Sequence, residues 1–361
     1  MKHSFFQVLG LISLLAVLTA CDSKTNSLFT ITNGNGIEAD ITTLGARIVS
    51  LRVPDREGQS QDIVLGFDDL KDYERIPSDF GACIGRYANR LNKGQITING
   101  VMYQLPTNNF GHTLHGGPTG WQYQVYTAQQ LAPNAIKMTI VSPDGDNGFP
   151  GEVVASCTYT LTQDNELVID YQATTSAPTV INMTNHSYFN LNGDGGTSAM
   201  NHLLWINADR MTPVDSTYMT TGEIVPIAPG DPFDFYSSPK PVGQDINADN
   251  EQLHNGNGYD HNWVLCPTQA PINHAAMLYS PVTGIQMDVY TQEPGIQVYS
   301  GNFLDGTITG KYGKVYEQRN AICLETQKYP DTPNKPLWPS ALLLPNQTYE
   351  TRTIFQFSVR P

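Results

Sequence analysis

The chain has 361 residues, 40% hydrophobic and 15% charged, with 34 acidic against 20 basic side chains and a net charge of −14. That apolar content supports a real core and excludes a wholly disordered chain, and 31 glycines with 24 prolines fall well short of a collagen-like composition. The acidic balance argues against nucleic-acid backbones and disfavours anionic sugar phosphates; a small neutral molecule suits it, and so does plain solubility. At ~150 residues per domain the length suggests two domains, with one large all-β unit as the other option.

The N-terminus reads as a leader. Lys2 and His3 precede a mostly apolar run over residues 5–18, followed by Leu18-Thr19-Ala20-Cys21. A basic start, a short apolar core and small residues before a cut site describe a secretory signal. The run is shorter than the ~20 residues of a membrane span. Its Leu-x-Ala-Cys ending resembles a bacterial lipoprotein signal, in which the cysteine becomes the lipidated first residue; an ordinary signal peptide is the other reading. The expectation is a leader over residues 1–20 cleaved before Cys21, a tether over 21–27 and the folded part over 28–361. On this reading the protein is exported and held by lipid on Cys21, facing the periplasm or the cell surface.

The folded part reads as β almost throughout. Apolar–polar alternation rich in β-branched residues marks strands over residues 37–41, 95–98, 136–141, 153–161, 167–173, 286–290 and 296–299. Turn chemistry separates them: Asn33-Gly34-Asn35-Gly36, Asn99-Gly100, Asp144-Gly145 and Gln163-Asp164-Asn165. Asn99-Gly100 between Ile98 and Val101 is a strong hairpin signal. Residues 68–75 read as a short helix. Many short strands with frequent turns suggest a large antiparallel sandwich. Five prolines within residues 327–345 mark a rigid surface loop or the extended wall of a cleft. Beyond Cys21, the even set Cys83, Cys157, Cys266 and Cys323 permits three disulfide pairings, and four free buried thiols fit as well. No C-x-x-C spacing supports structural zinc.

Polar residues that interrupt the alternation are the candidates for chemistry. Gly85-Arg86-Tyr87-Ala88-Asn89-Arg90-Leu91 carries two arginines, read alone as surface residues, or else as partners for sugar hydroxyls or carboxylates. His112-Thr113-Leu114-His115-Gly116-Gly117 follows a histidine with glycines that admit close approach; packing or a turn explains it too. Asn182-Met183-Thr184-Asn185-His186-Ser187-Tyr188-Phe189-Asn190 sets amide, hydroxyl and imidazole groups in a β-rich region, where buried polar groups need partners. Gly258-Tyr259-Asp260-His261-Asn262-Trp263 and the stretch over residues 294–303, with Gln297, are similar. Glu325 follows Ile322-Cys323-Leu324, an apolar setting that raises a carboxyl pKa; it is a salt-bridge anchor or a catalytic base. Asp144-Gly145-Asp146-Asn147-Gly148 looks slightly like a calcium loop but lacks the downstream bidentate Glu, so a turn is the main reading and bound Ca2+ an option. No P-loop, G-x-G-x-x-G, H-E-x-x-H or G-x-S-x-G occurs.

Taken together and in this order, these stretches resemble the aldose 1-epimerase (galactose mutarotase) family. The resemblance rests on residues 85–91, 114–117, 142–151, 184–190, 258–262, 294–305 and 323–327, and spans residues ~35–358. It implies one large antiparallel β-sandwich with an open sugar cleft, hence one domain where length alone suggested two. It implies His186 as general acid and Glu325 as general base. It implies sugar contacts at Asn89, Arg90, His115, Asp260 and Gln297, with Ser187 and Tyr188 flanking the acid, and a cleft wall at Lys328-Tyr329-Pro330. The substrate expected is a small neutral aldose such as glucose or galactose, converted by a monomer with no metal or redox cofactor. A catalytically silent sugar-binding lipoprotein, a hexose-phosphate epimerase, and a hydrolase or lyase are the competing classes; the retained His186 and Glu325, the acidic charge, and the lack of a second placed carboxylate speak against them in turn.

Overall fold

The computed structural model describes residues 25–193 and 196–361; the leader, its cleavage point and Cys21 lie outside the described residues. Strand formation follows the alternation. In Val153–Leu161, Val153, Ala155, Cys157, Tyr159 and Leu161 are buried while Val154 stays exposed, a pleat with one face inward. This strand sits between Ala135–Ser142 and Glu166–Thr175 in a nine-stranded antiparallel sheet. That sheet continues through Tyr349–Val359, Ile285–Thr291, Asn273–Tyr279, Leu203–Ile206 and Lys240–Pro241, with Thr127–Ala132 at its other edge.

A four-stranded sheet of Leu28–Thr32, Glu38–Thr42, Ile48–Pro54 and Ser60–Asp62 and a five-stranded sheet face the same core. Ile41, Ile48 and Leu51 from the first join Ile136, Tyr159, Ile169 and Phe355 of the large sheet and Trp263, Ile296, Val298 and Leu324 of the five-stranded one in a continuous apolar cluster. Each such aliphatic side chain contributes about 1.5–3 kcal/mol of burial. One cluster shared by three sheets is a β-sandwich in one domain, where the length had suggested two.

The five-stranded sheet, ordered Val225–Pro226, Arg210–Thr212, Asp260–Val264, Gly295–Tyr299 and Cys323–Gln327, carries the polar residues. Its last three strands are buried along their whole length. Their apolar side chains face the core, which leaves Gln297 directly opposite Glu325 on the other face. A short pair, Ala82–Ile84 with Thr184–His186, sets His186 opposite Ala82.

Several expectations change. Ile98 pairs with Val101 across Asn99 and Gly100, both at positive φ, as the hairpin signal required. The helix over 68–75 shrinks to Asp72–Arg75. An unanticipated helix, Glu251–Gly256, is capped by Asn250, whose side chain accepts the Gln252 and Leu253 amides. Thr25 to Ser27, expected as tether, are bonded to the domain: Asn26 donates to the Leu70 carbonyl and the Ser27 amide donates to Thr43. The described cysteines are free thiols, and a hydrogen bond with Cys157, then burial, push the Cys83 thiol up. Among the described residues no helix is long and apolar enough to cross a membrane.

Arg86 and Arg90 are both buried, which overturns the surface reading of that pair. The Arg86 guanidinium donates to the Pro150 and Gly151 carbonyls and to Ser142 Oγ. Asp146 accepts from Ser142 Oγ, and Asp144 accepts the Gly151 amide. The loop that looked like a calcium site is thus a turn whose two carboxylates bond Ser142 and Gly151, residues that in turn hold the arginine.

Candidate active site

His186 and Glu325 arrive from different sheets and meet at 3.5 Å, Nε2 to Oε1, with both side chains almost fully buried. His186 Nδ1 and Glu325 Oε2 are buried and have no hydrogen-bond partner. Such atoms are costly to leave unmet unless a ligand or water satisfies them. Burial pushes the Glu325 carboxyl up to about 7; His186 opposes the shift, Asp260 and Asp79 add to it, and Arg90 opposes it.

A cavity of about 210 Å³, room for one monosaccharide, opens on this pair. Asn89, Arg90, His115, Tyr188 and Asp260 line it together with His186 and Glu325. Tyr188 stacks on the His186 ring at 5.0 Å between centroids, and His115 meets that ring edge-on at 5.1 Å. His115 Nδ1 accepts the Asn89 amide, so its other nitrogen is left for the cavity. Burial first, then His186 and Arg90, hold the His115 imidazole well below its usual range and therefore neutral at pH 7. The turn that aims His115 needs Gly116 at φ +80°, where a Cβ would lie 2.1 Å from the Gly85 carbonyl oxygen.

Arg90 is fixed on three sides. Its Nε donates to Asn109, its Nη1 lies 3.8 Å from Asp260, and its guanidinium covers the Tyr218 ring. Asp260 in turn accepts from Gln297 Nε2 at 2.7 Å. Gln297 is buried and does not line the cavity; it meets the site through Asp260, although its Oε1 has no partner. Ser187, which the resemblance set beside the acid as a sugar contact, is fully buried off the cavity. Neighbours along an extended chain point to opposite faces, so Ser187 is turned away where His186 and Tyr188 face in.

The proline-rich segment also departs from its expected place as a cleft wall. Lys328 bonds Glu293, and the Asp331 amide donates to the Arg90 carbonyl. It braces the site from behind, and none of Lys328, Tyr329 and Pro330 lines the cavity. A larger open depression of about 920 Å³ at Leu44 and Val125 carries only exposed charges, Asp68, Asp69, Lys71 and Glu74, and no buried histidine–carboxylate pair, so chemistry selects the smaller cavity.

Leu114, Tyr299 and Phe303, from stretches singled out in the sequence, complete the wall with Asp79 and Asn109, which were not singled out. Asp79 lies on a loop, three residues before the strand that pairs with His186, and no spacing rule reaches it. Asp79, His115 and His186 each bring one ligand-capable atom within 4.8 Å of the others. Tetrahedral zinc sets its ligand atoms about 3.4 Å apart, so these three would have to close in to hold one.

A carboxylate and an imidazole side by side, ringed by uncharged donors, one guanidinium and the Asp79 and Asp260 carboxyls, can move protons between two oxygens of a polyhydroxylated ligand. The chain matches the aldose 1-epimerase family model over residues 27–356. It is 44% identical to the galactose mutarotase of Mus musculus over 328 residues, 90% of this chain and 92% of the relative. It is 35% identical to the aldose 1-epimerase of Escherichia coli over 94% of this chain and 97% of the relative. Among solved structures, an aldose epimerase homologue from C. elegans superposes with a TM-score of 0.86 at 31% identity, covering 93% of this chain and 100% of that one.

Proposed function

The chain belongs to the aldose 1-epimerase family, and from that premise we propose that Glu325 and His186 perform its reaction, the interconversion of α and β anomers of aldoses. The substrates on this reading are free aldohexoses such as glucose and galactose.

In a pyranose the anomeric hydroxyl and the ring oxygen sit on the same carbon, C1. An acid and a base that serve both must therefore stand close together, and the 3.5 Å approach of His186 to Glu325 is the observation that carries the assignment. Ionised Glu325 takes the proton from the C1 hydroxyl while His186 gives one to the ring oxygen. The C1–ring oxygen bond opens and leaves an aldehyde and the C5 hydroxyl. Rotation about C1–C2 turns the other carbonyl face toward that hydroxyl. The ring closes with the roles reversed: His186 takes the C5 hydroxyl proton and Glu325 returns a proton to the carbonyl oxygen. Proton count and oxidation level are unchanged, so this chemistry needs no cofactor.

The surroundings suit each step. A carboxyl held near 7 is a stronger base when ionised than an ordinary carboxylate. Arg90 supplies positive charge toward oxygen that gains negative charge. Neutral His115, Asn89 and Asp260 offer hydrogen-bonding partners for ring hydroxyls. A bound Ca2+ has no step here, and the Asp144 and Asp146 carboxylates that suggested one accept from the Gly151 amide and Ser142 Oγ. The proposal extends to a monomer, exported by the leader and anchored through lipid on Cys21, which mass spectrometry of the mature N-terminus tests.

Polarimetry of freshly dissolved α-D-glucose and α-D-galactose with the purified protein tests the reaction. The approach to equilibrium accelerates above the spontaneous rate with the opposite anomer as sole product. Binding without acceleration would make this a sugar-binding protein.

A further inference from the structure

We propose that Asp79 is the acceptor for the C6 hydroxyl of the bound hexose and sets a preference for hexoses over sugars that lack that group. The inference rests on the roles given above to Glu325 and His186. Asp79 lines the same cavity, yet one of its carboxylate oxygens is buried with no hydrogen-bond partner. An ionised carboxylate only accepts, so what it lacks is a donor.

Its position selects which hydroxyl that is. With Glu325 at the C1 hydroxyl and His186 at the ring oxygen, the sugar's two flanks are fixed. The flank beyond C1 begins with C2; the flank beyond the ring oxygen is C5 and its exocyclic C6. Gln297 stands opposite Glu325 in register and holds Asp260, so Asp260 belongs to the C1 flank. Asp79 gathers instead with His186 and His115, the ring-oxygen side. The donor on that side is the C6 hydroxyl.

The carboxylate is also held in place. Buried Arg47 donates Nη1 to the Phe80 carbonyl and Nη2 to the Ser78 carbonyl, the residues on either side of Asp79. The Asp79 carbonyl accepts the Ala82 amide, which begins the strand paired with His186. Asp79 and His186 thus ride on one hydrogen-bonded unit, a fixed geometry of the kind that hydroxyl discrimination requires.

The experiment compares kcat/KM for mutarotation of D-galactose, 6-deoxy-D-galactose and L-arabinose, which share ring configuration and differ at C6. Wild type should favour D-galactose by about tenfold or more, the loss expected when a charged acceptor goes unmet. Asp79→Ala should lose that preference, its kcat/KM on D-galactose falling to the level it shows on the other two sugars. Asp79→Asn, nearly isosteric and still an acceptor, should show a smaller loss confined to D-galactose, and it serves if the alanine variant melts early beside Arg47. Equal losses on all three sugars, or no loss on any, would overturn the proposal. So would a wild-type rate that falls on dialysis against EDTA and returns with Zn2+, because Asp79 would then be a metal ligand. Mutarotation of 6-deoxy-D-galactose by wild type stands apart from Asp79: if no aldose turns over, the acid–base reading fails first.

Discussion

Replacing Glu325 with glutamine should stabilise the fold while removing the activity. Unfolded, this carboxyl ionises near 4.5; folded, burial holds it near 7. The folded protein binds the proton more tightly, so this group's stabilising contribution is complete below about pH 4.5 and is lost as pH rises through 7. At about pH 8 the folded state carries a buried negative charge that costs roughly 3 kcal/mol relative to the unfolded chain. Glutamine keeps the shape and removes that charge. Thermal melts at about pH 8 should show Glu325→Gln above wild type by on the order of 5 °C, with the gap closing near pH 4, where the wild-type side chain is itself neutral. The same variant should be slower in polarimetry by about 10²–10⁴-fold, the usual contribution of a general base. In wild type the acidic limb of kcat/KM should fall near pH 7, well above an ordinary carboxylate. A variant that melts lower than wild type at pH 8 would refute the desolvation argument, because Glu325 would then be a net stabilising partner of His186.

Gln297→Leu removes the amide that holds Asp260 and should raise KM severalfold with kcat nearly kept, on a hydrogen bond of about 1–3 kcal/mol; steady-state polarimetry reads it. Arg86→Met empties the cage of loop carbonyls and should cost about 3–5 kcal/mol of stability by denaturant melts, with mutarotation surviving at low temperature. Asp260→Ala should weaken sugar handling and leave Arg90 buried without its charge partner, so both KM and melting temperature should move. Dialysis against EDTA should leave the wild-type rate unchanged.

What the sequence revealed follows the range of each signal. Alternation gave the strand Val153–Leu161 to the residue, because a half-buried pleat writes its period directly into the chain. The helix Glu251–Gly256 went unread because it is too short to display a 3.6-residue period. Buried strands such as Cys323–Gln327 have no solvent-exposed face, so Glu325 stood out after its apolar neighbours while its partner could not be read from spacing. Their meeting depends on register between distant segments, and only the family resemblance pointed to His186. Ser187 was legible in retrospect, since period two separates it from His186 and Tyr188. Asp79 was not, because it sits in a loop and reaches the cavity through Arg47 contacts made across the fold.

The most direct test of the acid–base pair is the mutarotation rate of α-D-galactose for Glu325→Gln, His186→Asn and the double variant, each measured above the spontaneous background. Two groups that serve one ring-opening step act as a unit, so each single variant should lose about 10²–10⁴-fold and the double variant little more than the worse single one. Losses that multiply, or a Glu325→Gln enzyme with wild-type rate, would contradict the assignment.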